Sequence, residues 1–262
     1  MSIRRLFLQK QAGGGLLLDS YPNASAAYSL RYLNSAYGGG VVRVRRDSDN
    51  VEQDFTPSQI TDGTLLTFTG SGDGFVTTWY DQSGNLNNAI LSLGSECIIV
   101  LLGVLVTNNG LPSTFTNTTS IYYTNDNINS NIFSMVSVSF NNDTSGTNEV
   151  FGISSGLNDA SSFLQAADNS LRFKGDFQSG SISASISNKL RFTFRNVNQL
   201  NDYINNAENI NTIKVIPNTN GILKLNIDNF RGYTQECIFW NSDEIANRTA
   251  IQDNINAYYN IY

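Results

Sequence analysis

The segment Leu190-Arg191-Phe192-Thr193-Phe194-Arg195 alternates apolar and polar side chains, the pattern of a β-strand with one buried face. Residues 136–140 alternate in the same way. Turn clusters of Asn, Asp, Gly and Ser separate these segments from further predicted strands at residues 41–46, 65–69, 75–81, 148–153, 171–177, 222–227 and 235–240. This many short strands predicts an all-β fold, an antiparallel sandwich or a barrel.

Two segments are predicted to form short helices at the periphery. The first follows the capping residue Asn23, ends before the glycines at 38–40, and buries a stripe of Ala26, Ala27, Leu30 and Leu33. The second begins at Ser242 or Asp243 and buries a stripe of Ile251, Ile255, Tyr258 and Tyr262.

The composition excludes several classes of function. The 262 residues contain no histidine, which rules out Ser-His-Asp and Cys-His hydrolases and histidine-bound zinc or haem. A net charge of −6 and an isoelectric point near 4.6 provide no broad positive surface for nucleic acid. Because the composition does not shift along the chain, we expect one sandwich domain at residues 16–262.

Neither a leader peptide nor a membrane span is expected. Leu6, Phe7 and Leu8, which follow Arg4 and Arg5, are too few for the apolar core of a signal peptide. The longest apolar run, residues 97–106, is short beside the roughly 20 residues that a transmembrane helix needs. We therefore expect no insertion into a membrane.

Residues 1–15 are predicted to form an N-terminal arm. The arm is basic and ends in three glycines, which leave its backbone free to adapt. We expect it to dock onto another chain through Arg4, Arg5, Leu6, Phe7 and Leu8. A frayed terminus is the alternative.

The two cysteines, Cys97 and Cys237, each follow a glutamate inside an apolar run. Two cysteines are too few for a disulfide scaffold, so buried thiols are expected. A disulfide between them is the alternative that the sequence leaves open.

The most specific motif is Trp79-Tyr80-Asp81-Gln82-Ser83-Gly84-Asn85, which follows Ala27-Tyr28-Ser29-Leu30-Arg31. This order resembles the N-terminal part of the catalytic domain of fungal-type arabinofuranosidase B. It is also similar to concanavalin-like (laminin-G-like) domains of bacterial and bacteriophage structural proteins. Asn109-Gly110-Leu111-Pro112, Tyr203-Ile204-Asn205-Asn206 and residues 236–240 resemble turns and strands of the second group. The resemblance implies an antiparallel concanavalin-like (jelly-roll) β-sandwich.

The resemblance to the second group implies a non-enzymatic bacteriophage virion protein, such as a head or tail fibre, a spike or a capsid decoration. Such a protein is made in the host cytoplasm and resides in the virion. Its arm would contact other virion proteins, and we expect a homo-oligomer, with a trimer as a guess. Two alternatives stay open: a glycoside hydrolase of arabinofuranosidase type, and a cement protein without a ligand.

The hydrolase alternative requires two carboxylates, which lie about 5–5.5 Å apart in a retaining glycosidase. Asp81 belongs to the motif but not to the catalytic pair of the family. The other candidates are Glu149, Asp159, Asp168, Asp176, Asp202, Glu208, Asp228 and Glu236. Glu149 and Glu236 are on predicted strands, but nothing in the sequence places them face to face. We therefore predict no catalytic residues and no enzyme.

A glycan-binding patch is predicted from aromatic and amide side chains, since lectins stack sugar rings on aromatics and bond their hydroxyls. The candidates for binding a host-surface glycan are Tyr122, Tyr123, Asn125, Asp126 and Asn127. Trp79 and Tyr80 could form a second patch, but Trp79 lies within a strand and is expected in the core.

Asp81, Ser83, Asn85 and Asn87 place oxygen side chains at every second position, as in the first half of a calcium-binding loop. The acid that closes such a loop is absent, since the twelfth position is Ser92. Calcium is the one cofactor considered, and a simple turn between strands is the alternative.

Three arginines are clustered at residues 43–46. Arg43 and Arg45 share one face of a predicted strand, and Arg46 is on the other. We expect them to pair with acids just downstream, namely Asp47, Asp49, Glu52 and Asp54.

Overall fold

The computed structural model describes residues 15–92, 96–117, 122–124, 128–129, 132–141, 149–154, 162–166, 171–173, 176–178, 189–196, 199–213, 220–227 and 230–262. The predicted docking residues Arg4, Arg5, Leu6, Phe7 and Leu8 lie outside this part.

The helices are α1 Leu17–Ser20, α2 Pro57–Thr61, α3 Thr64–Thr69 and α4 Arg248–Tyr259, and a 3₁₀ turn spans Ile245–Asn247. The strands are β1 Ala26–Ser29, β2 Val42–Arg46, β3 Glu52–Phe55, β4 Gly74–Trp79, β5 Ala89–Leu91, β6 Ile98–Leu101, β7 Val104–Leu105, β8 Thr107–Asn108, β9 Leu111–Pro112, β10 Thr114–Thr116, β11 Tyr122–Tyr123, β12 Ile128–Asn129, β13 Phe133–Asn141, β14 Glu149–Ser154, β15 Ser162–Ala166, β16 Leu171–Phe173, β17 Asp176–Gln178, β18 Lys189–Asn196, β19 Gln199–Ile204, β20 Ala207–Ile213, β21 Asn220–Ile227 and β22 Gly232–Trp240.

The strands form two layers of antiparallel pairs. In the first layer β22 pairs with β1 and β10 on one side and with β13 on the other, followed by β18, β19 and β20. The second layer begins at β3 and continues through β2, β4, β5, β11, β21, β14, β15, β16 and β17. Strand β6 pairs with both β4 and β10 and joins the layers. The predicted all-β antiparallel sandwich is confirmed.

Two cores flank the first layer. The alternation of β22 divides its side chains between them: Cys237 and Phe239 pack between the layers, whereas Ile238 and Trp240 pack under α1 and α4. Both cysteines are buried and neither forms a disulfide, as expected, and burial together with the charge of Glu236 raises the pKa of Cys237.

The helix predicted after Asn23 is wrong, because residues 26–29 form β1. Ala26 and Tyr28 face the core between the layers, and Ala27 faces the core under α4. Successive apolar residues in a strand buried on both faces, here Ala26, Ala27 and Tyr28, give a sequence pattern similar to that of a helical stripe. Asn23 does not cap a helix: it lies between α1 and β1 and has a φ of 65°, in the left-handed region.

The strand predicted at residues 65–69 is also wrong, because this segment is α3. Leu65 and Thr69, four residues apart, are its buried positions, which is helical spacing. Gly63 and Gly70, both with positive φ, limit the helix to six residues.

The C-terminal helix is confirmed, with Ile251 and Ile255 buried as predicted. It begins at Arg248, later than predicted, and Tyr259 is buried in place of Tyr258 and Tyr262. Within the described residues no helix combines the length and the apolar composition needed to cross a membrane.

Candidate functional site

The carboxylate of Asp81 ties the loop after β4 to β1. Its Oδ1 accepts the backbone N–H groups of Ala27 at 2.8 Å and Ser83 at 2.9 Å. Its Oδ2 accepts the Ser83 hydroxyl at 2.6 Å and the Asn87 N–H at 3.0 Å. All four bonds converge on a side chain that is only 3% exposed. The oxygens that a calcium ion would use therefore already have donors, and the calcium hypothesis stays a prediction.

Gln82, the next residue of the motif, completes this connection. Its Oε1 accepts the Leu33 N–H at 2.9 Å, and its Nε2 donates to the carbonyls of Ser29 and Arg31. Trp79 is fully buried, which confirms its prediction as a core residue. The motif thus connects the loop after β4 to β1 and to the residues that follow β1.

Glu236 and Asp202, two of the acids considered for catalysis, are buried in ion pairs. Glu236 accepts hydrogen bonds from Arg31 at 2.8 and 3.1 Å, and also from Ser29 and Tyr259. Asp202 accepts two bonds from Arg191, at 2.8 and 2.9 Å. Neither carboxylate is exposed, so neither can contact a polysaccharide.

A groove of about 540 Å³ crosses the outer face of the second layer. Its floor is formed by β2 and β4, and its sides by residues near β3, β5 and β6. The lining residues are Arg43, Arg45, Glu52, Phe75, Thr77, Thr78, Ile90, Leu91, Ser92 and Glu96. Apolar surface beside hydroxyl, guanidinium and carboxylate groups is the mixture that binds sugar rings and their hydroxyls.

Two carboxylates line this groove from opposite sides. Glu52 belongs to β3, the edge strand of the layer, whereas Glu96 precedes β6 on the far side of β4. A second cleft, of about 460 Å³, has one acid, Asp62, among the residues that line it. The first groove is therefore the candidate site. In the described part of the chain no three acids or cysteines are grouped to hold a metal ion.

Arg43 connects the acids of the edge strand. Its Nε lies 3.2 Å from Glu52 Oε2 and 3.4 Å from Asp54 Oδ1, as an ion pair without a directed hydrogen bond. Asp54 also accepts the Tyr80 hydroxyl at 2.8 Å. Partial burial together with this bond to Asp54 raises the pKa of Tyr80 to about 12.

Two residues that line the groove each carry a buried polar atom without a hydrogen bond. Thr77 Oγ1 and Arg43 Nε are both buried, and neither forms a hydrogen bond with the described residues. Buried polar atoms of this kind are uncommon in proteins.

The expected pairing of the arginines is confirmed for Arg43 and for Arg46. Arg46 donates to both oxygens of Asp49, at 2.7 and 2.6 Å, which lowers the pKa of that carboxyl to about 2. Arg45 instead donates to Asn50 at 2.6 Å and covers the Phe75 ring at 4.6 Å.

Replacing Arg46 by glutamine is expected to return the pKa of Asp49 from about 2 toward its ordinary value of 3.8. The guanidinium stabilises the charged carboxylate, so its loss makes protonation easier. NMR titration of the Asp49 carboxyl carbon measures this change. An unchanged pKa in Arg46→Gln would show that the backbone N–H of Val51, a second donor to Asp49, holds the low value.

The structure places part of the predicted glycan patch beside the groove. Tyr123 lies in β11, in register with the groove residue Ile90 on β5 and with Lys224 on β21. Tyr122 is its neighbour on the same strand, while Asn125, Asp126 and Asn127 lie outside the described residues. Glu52 and Glu96 are not recognisable as a pair from the sequence, because only the strand order brings them to one groove.

No family model and no curated protein matches the sequence. Among solved structures, a GH54 α-L-arabinofuranosidase soaked with a cyclic sulfate inhibitor is similar, with a TM-score of 0.72 and 15% identity over 93% of this chain. A mutant GH54 enzyme soaked with 4-nitrophenyl α-L-arabinofuranoside has a TM-score of 0.74, with the same identity and coverage. The sialidase of Trypanosoma rangeli in complex with sialic acid matches 69% of the chain and 32% of its own, with 11% identity and a TM-score of 0.50. This chain spans 64% of the length of the two arabinofuranosidases.

These matches correct the function predicted from the sequence. The prediction of a non-enzymatic bacteriophage virion protein is wrong, because the structures similar over 93% of the chain are glycoside hydrolases. The resemblance to phage concanavalin-like domains finds no support in them. The other resemblance, to arabinofuranosidases, is supported at the level of the fold. The chain therefore has a β-sandwich of the arabinofuranosidase type.

Proposed function

We propose that this protein is a glycoside hydrolase that releases α-L-arabinofuranosyl groups, with the groove over β2 and β4 as its active site. The observation that carries the proposal is the similarity to arabinofuranosidases over 93% of the chain, at TM-scores of 0.72 and 0.74. The mixed lining of the groove supports it, because carboxylates and hydroxyls there meet apolar surface.

The chemistry rests on two carboxylates facing one sugar. One attacks the anomeric carbon or activates a water molecule, and the other protonates the departing oxygen. Glu52 and Glu96 stand three strand positions apart, so their backbones are separated by about 14 Å at about 4.8 Å per strand. Both side chains line the groove between them.

The two carboxylates have different surroundings. Arg43 Nε lies 3.2 Å from Glu52 Oε2 and holds this carboxylate in place at the side of the groove, as a nucleophile or general base requires. We therefore assign attack to Glu52 and proton donation to Glu96. Arg43 is a positioning residue in this scheme, since it acts through Glu52.

The proposal is tested by release of nitrophenol from 4-nitrophenyl α-L-arabinofuranoside. The wild type is expected to release it, and Glu52→Gln or Glu96→Gln to lower kcat by about a hundredfold or more, in line with the loss of an acid or base. Asp49→Asn is the matched control, because Asp49 is an exposed carboxylate that pairs with Arg46 and does not line the groove. Its kcat should stay within about twofold of wild type.

Two results would contradict the proposal in different ways. A folded wild type that binds the substrate without releasing nitrophenol excludes hydrolysis and leaves a binding protein. Release that persists in both glutamine variants excludes the groove as the active site. Circular dichroism of each variant confirms that folding is retained.

A further inference from the structure

We propose that the groove binds a glycan bearing a uronic acid, and that Arg45 holds the carboxylate of this sugar. The inference rests on the proposed function, because it assigns a substrate class to the same groove. It adds a site for a second, charged sugar beside the arabinofuranosyl group.

The Arg45 guanidinium is fixed on two sides. Its carbon centre lies 4.6 Å from the centre of the Phe75 ring, and Nη1 donates to Asn50 at 2.6 Å. Phe75 is itself 5% exposed and forms a rigid base. A guanidinium held against a ring in this way loses little conformational entropy when it binds a ligand, so its remaining N–H groups can donate to a ligand at low cost.

Arg45 differs from Arg43 and Arg46, the other arginines of β2, in how its positive charge is paired. Arg43 is paired with Glu52 and Asp54, and Arg46 is paired with Asp49. Register places Glu52 directly opposite Arg45, yet the Glu52 carboxylate lies against Arg43 instead. Among the described residues, no carboxylate is paired with Arg45, so its positive charge is available in the groove.

A sugar carboxylate matches the positive charge and the N–H donors of the Arg45 guanidinium. The planar guanidinium forms two parallel hydrogen bonds with a carboxylate, the arrangement in which arginine binds most strongly. Around it, the hydroxyls of Thr77, Thr78 and Ser92 line the groove and suit the hydroxyls of a pyranose ring. Uronic acids combine these two groups in one residue, whereas neutral sugars leave the charge of Arg45 without a partner.

The test compares methyl β-D-glucuronide with methyl β-D-glucoside, which share a ring and differ at the carboxylate. NMR titration of the full chain is expected to show about tenfold tighter binding of the glucuronide, the gain of roughly one charge-assisted bond. The preference should disappear in Arg45→Gln and should decrease as the salt concentration rises. Arg46→Gln is the matched control, since Arg46 is on the same strand and outside the groove, and it should keep the preference.

Acetate is the third probe, as a carboxylate without a ring, and it should bind at least tenfold more weakly than the glucuronide. Equal binding of acid and neutral sugars, or a preference that survives Arg45→Gln, overturns the inference. Binding of acetate as tight as that of the glucuronide shows a general anion site and also overturns it. Because none of these titrations requires hydrolysis, they distinguish this inference from the proposed activity, which depends on a neutral substrate.

Discussion

Replacing Arg31 by methionine is expected to lower the free energy of unfolding by about 3–5 kcal/mol, the usual cost of breaking a buried ion pair from one side. Glu236 has no exposed surface, and its carboxylate receives two hydrogen bonds from Arg31. Burial disfavours the charge of Arg31, but the carboxylate more than offsets this and raises the pKa of Arg31. Methionine would leave the Glu236 charge buried without its cation.

The same guanidinium also holds the C-terminal helix. It lies 4.7 Å from the ring centre of Tyr258 and 5.6 Å from that of Tyr259, and it donates to Asn254. These three residues belong to α4, whereas Glu236 belongs to β22. The loss of Arg31 should therefore weaken the packing of α4 on the sandwich and also leave the charge of Glu236 unpaired.

Urea denaturation measures the change, and a double variant separates charge from packing. Arg31→Met with Glu236→Met replaces the pair by apolar groups and should recover much of the loss, because no lone charge remains buried. Arg43→Met is the control: its ion pair with Glu52 is 39–43% exposed and should contribute at most about 1 kcal/mol. A loss below about 1 kcal/mol in Arg31→Met would contradict the structural role of the pair.

Replacing Asp81 by asparagine is expected to cost about 2–4 kcal/mol, since one buried donor loses its acceptor and the other bonds lose their charge. The amide keeps an oxygen for the N–H groups of Ala27 and Ser83. Its NH₂ group then faces the N–H of Asn87, and two donors cannot bond to each other. The loop between β4 and β5 should loosen first.

Thermal unfolding and hydrogen exchange together test this expectation. The Asn87 amide, protected in the wild type, should exchange faster in Asp81→Asn, and the melting temperature should fall. Asp47→Asn is the control, because Asp47 is exposed, and surface changes of this kind usually alter stability by less than about 0.5 kcal/mol. Stability equal to wild type in Asp81→Asn would mean that the four bonds are not the reason for the motif.

The sequence predicts the layers of this fold better than it predicts the local exceptions. Residues 190–195 alternate because the face of β18 under the helices carries apolar side chains, whereas its other face, which is also buried, carries Arg191, Thr193 and Arg195. The sequence of β1 predicts a helix because Ala26, Ala27 and Tyr28 place apolar side chains on both of its faces, which removes the alternation. The sequence of α3 predicts a strand because six residues are too few to establish a helical period.

The candidate site was harder to predict for a physical reason. Glu52, Phe75, Ile90 and Glu96 come together only through the order of β3, β2, β4, β5 and β6, and single sequences do not encode strand order directly. The motif around Asp81 indicated the fold correctly, yet many functions share one fold. For that reason the resemblance alone led to the wrong functional class.

The pairing of β1 with β22 has a consequence for how the protein is made. Ser29 on β1 bonds to Glu236, which lies 207 residues later in the chain. At about 5–20 residues per second, the ribosome needs roughly 10–40 s to produce the partner of β1. In the described part of the chain the register of β1 is with β22, from Ala26 opposite Phe239 to Ser29 opposite Glu236. The apolar side chains of β1 therefore lack their partner strand until β22 has been synthesised, and long-range contacts of this kind slow folding.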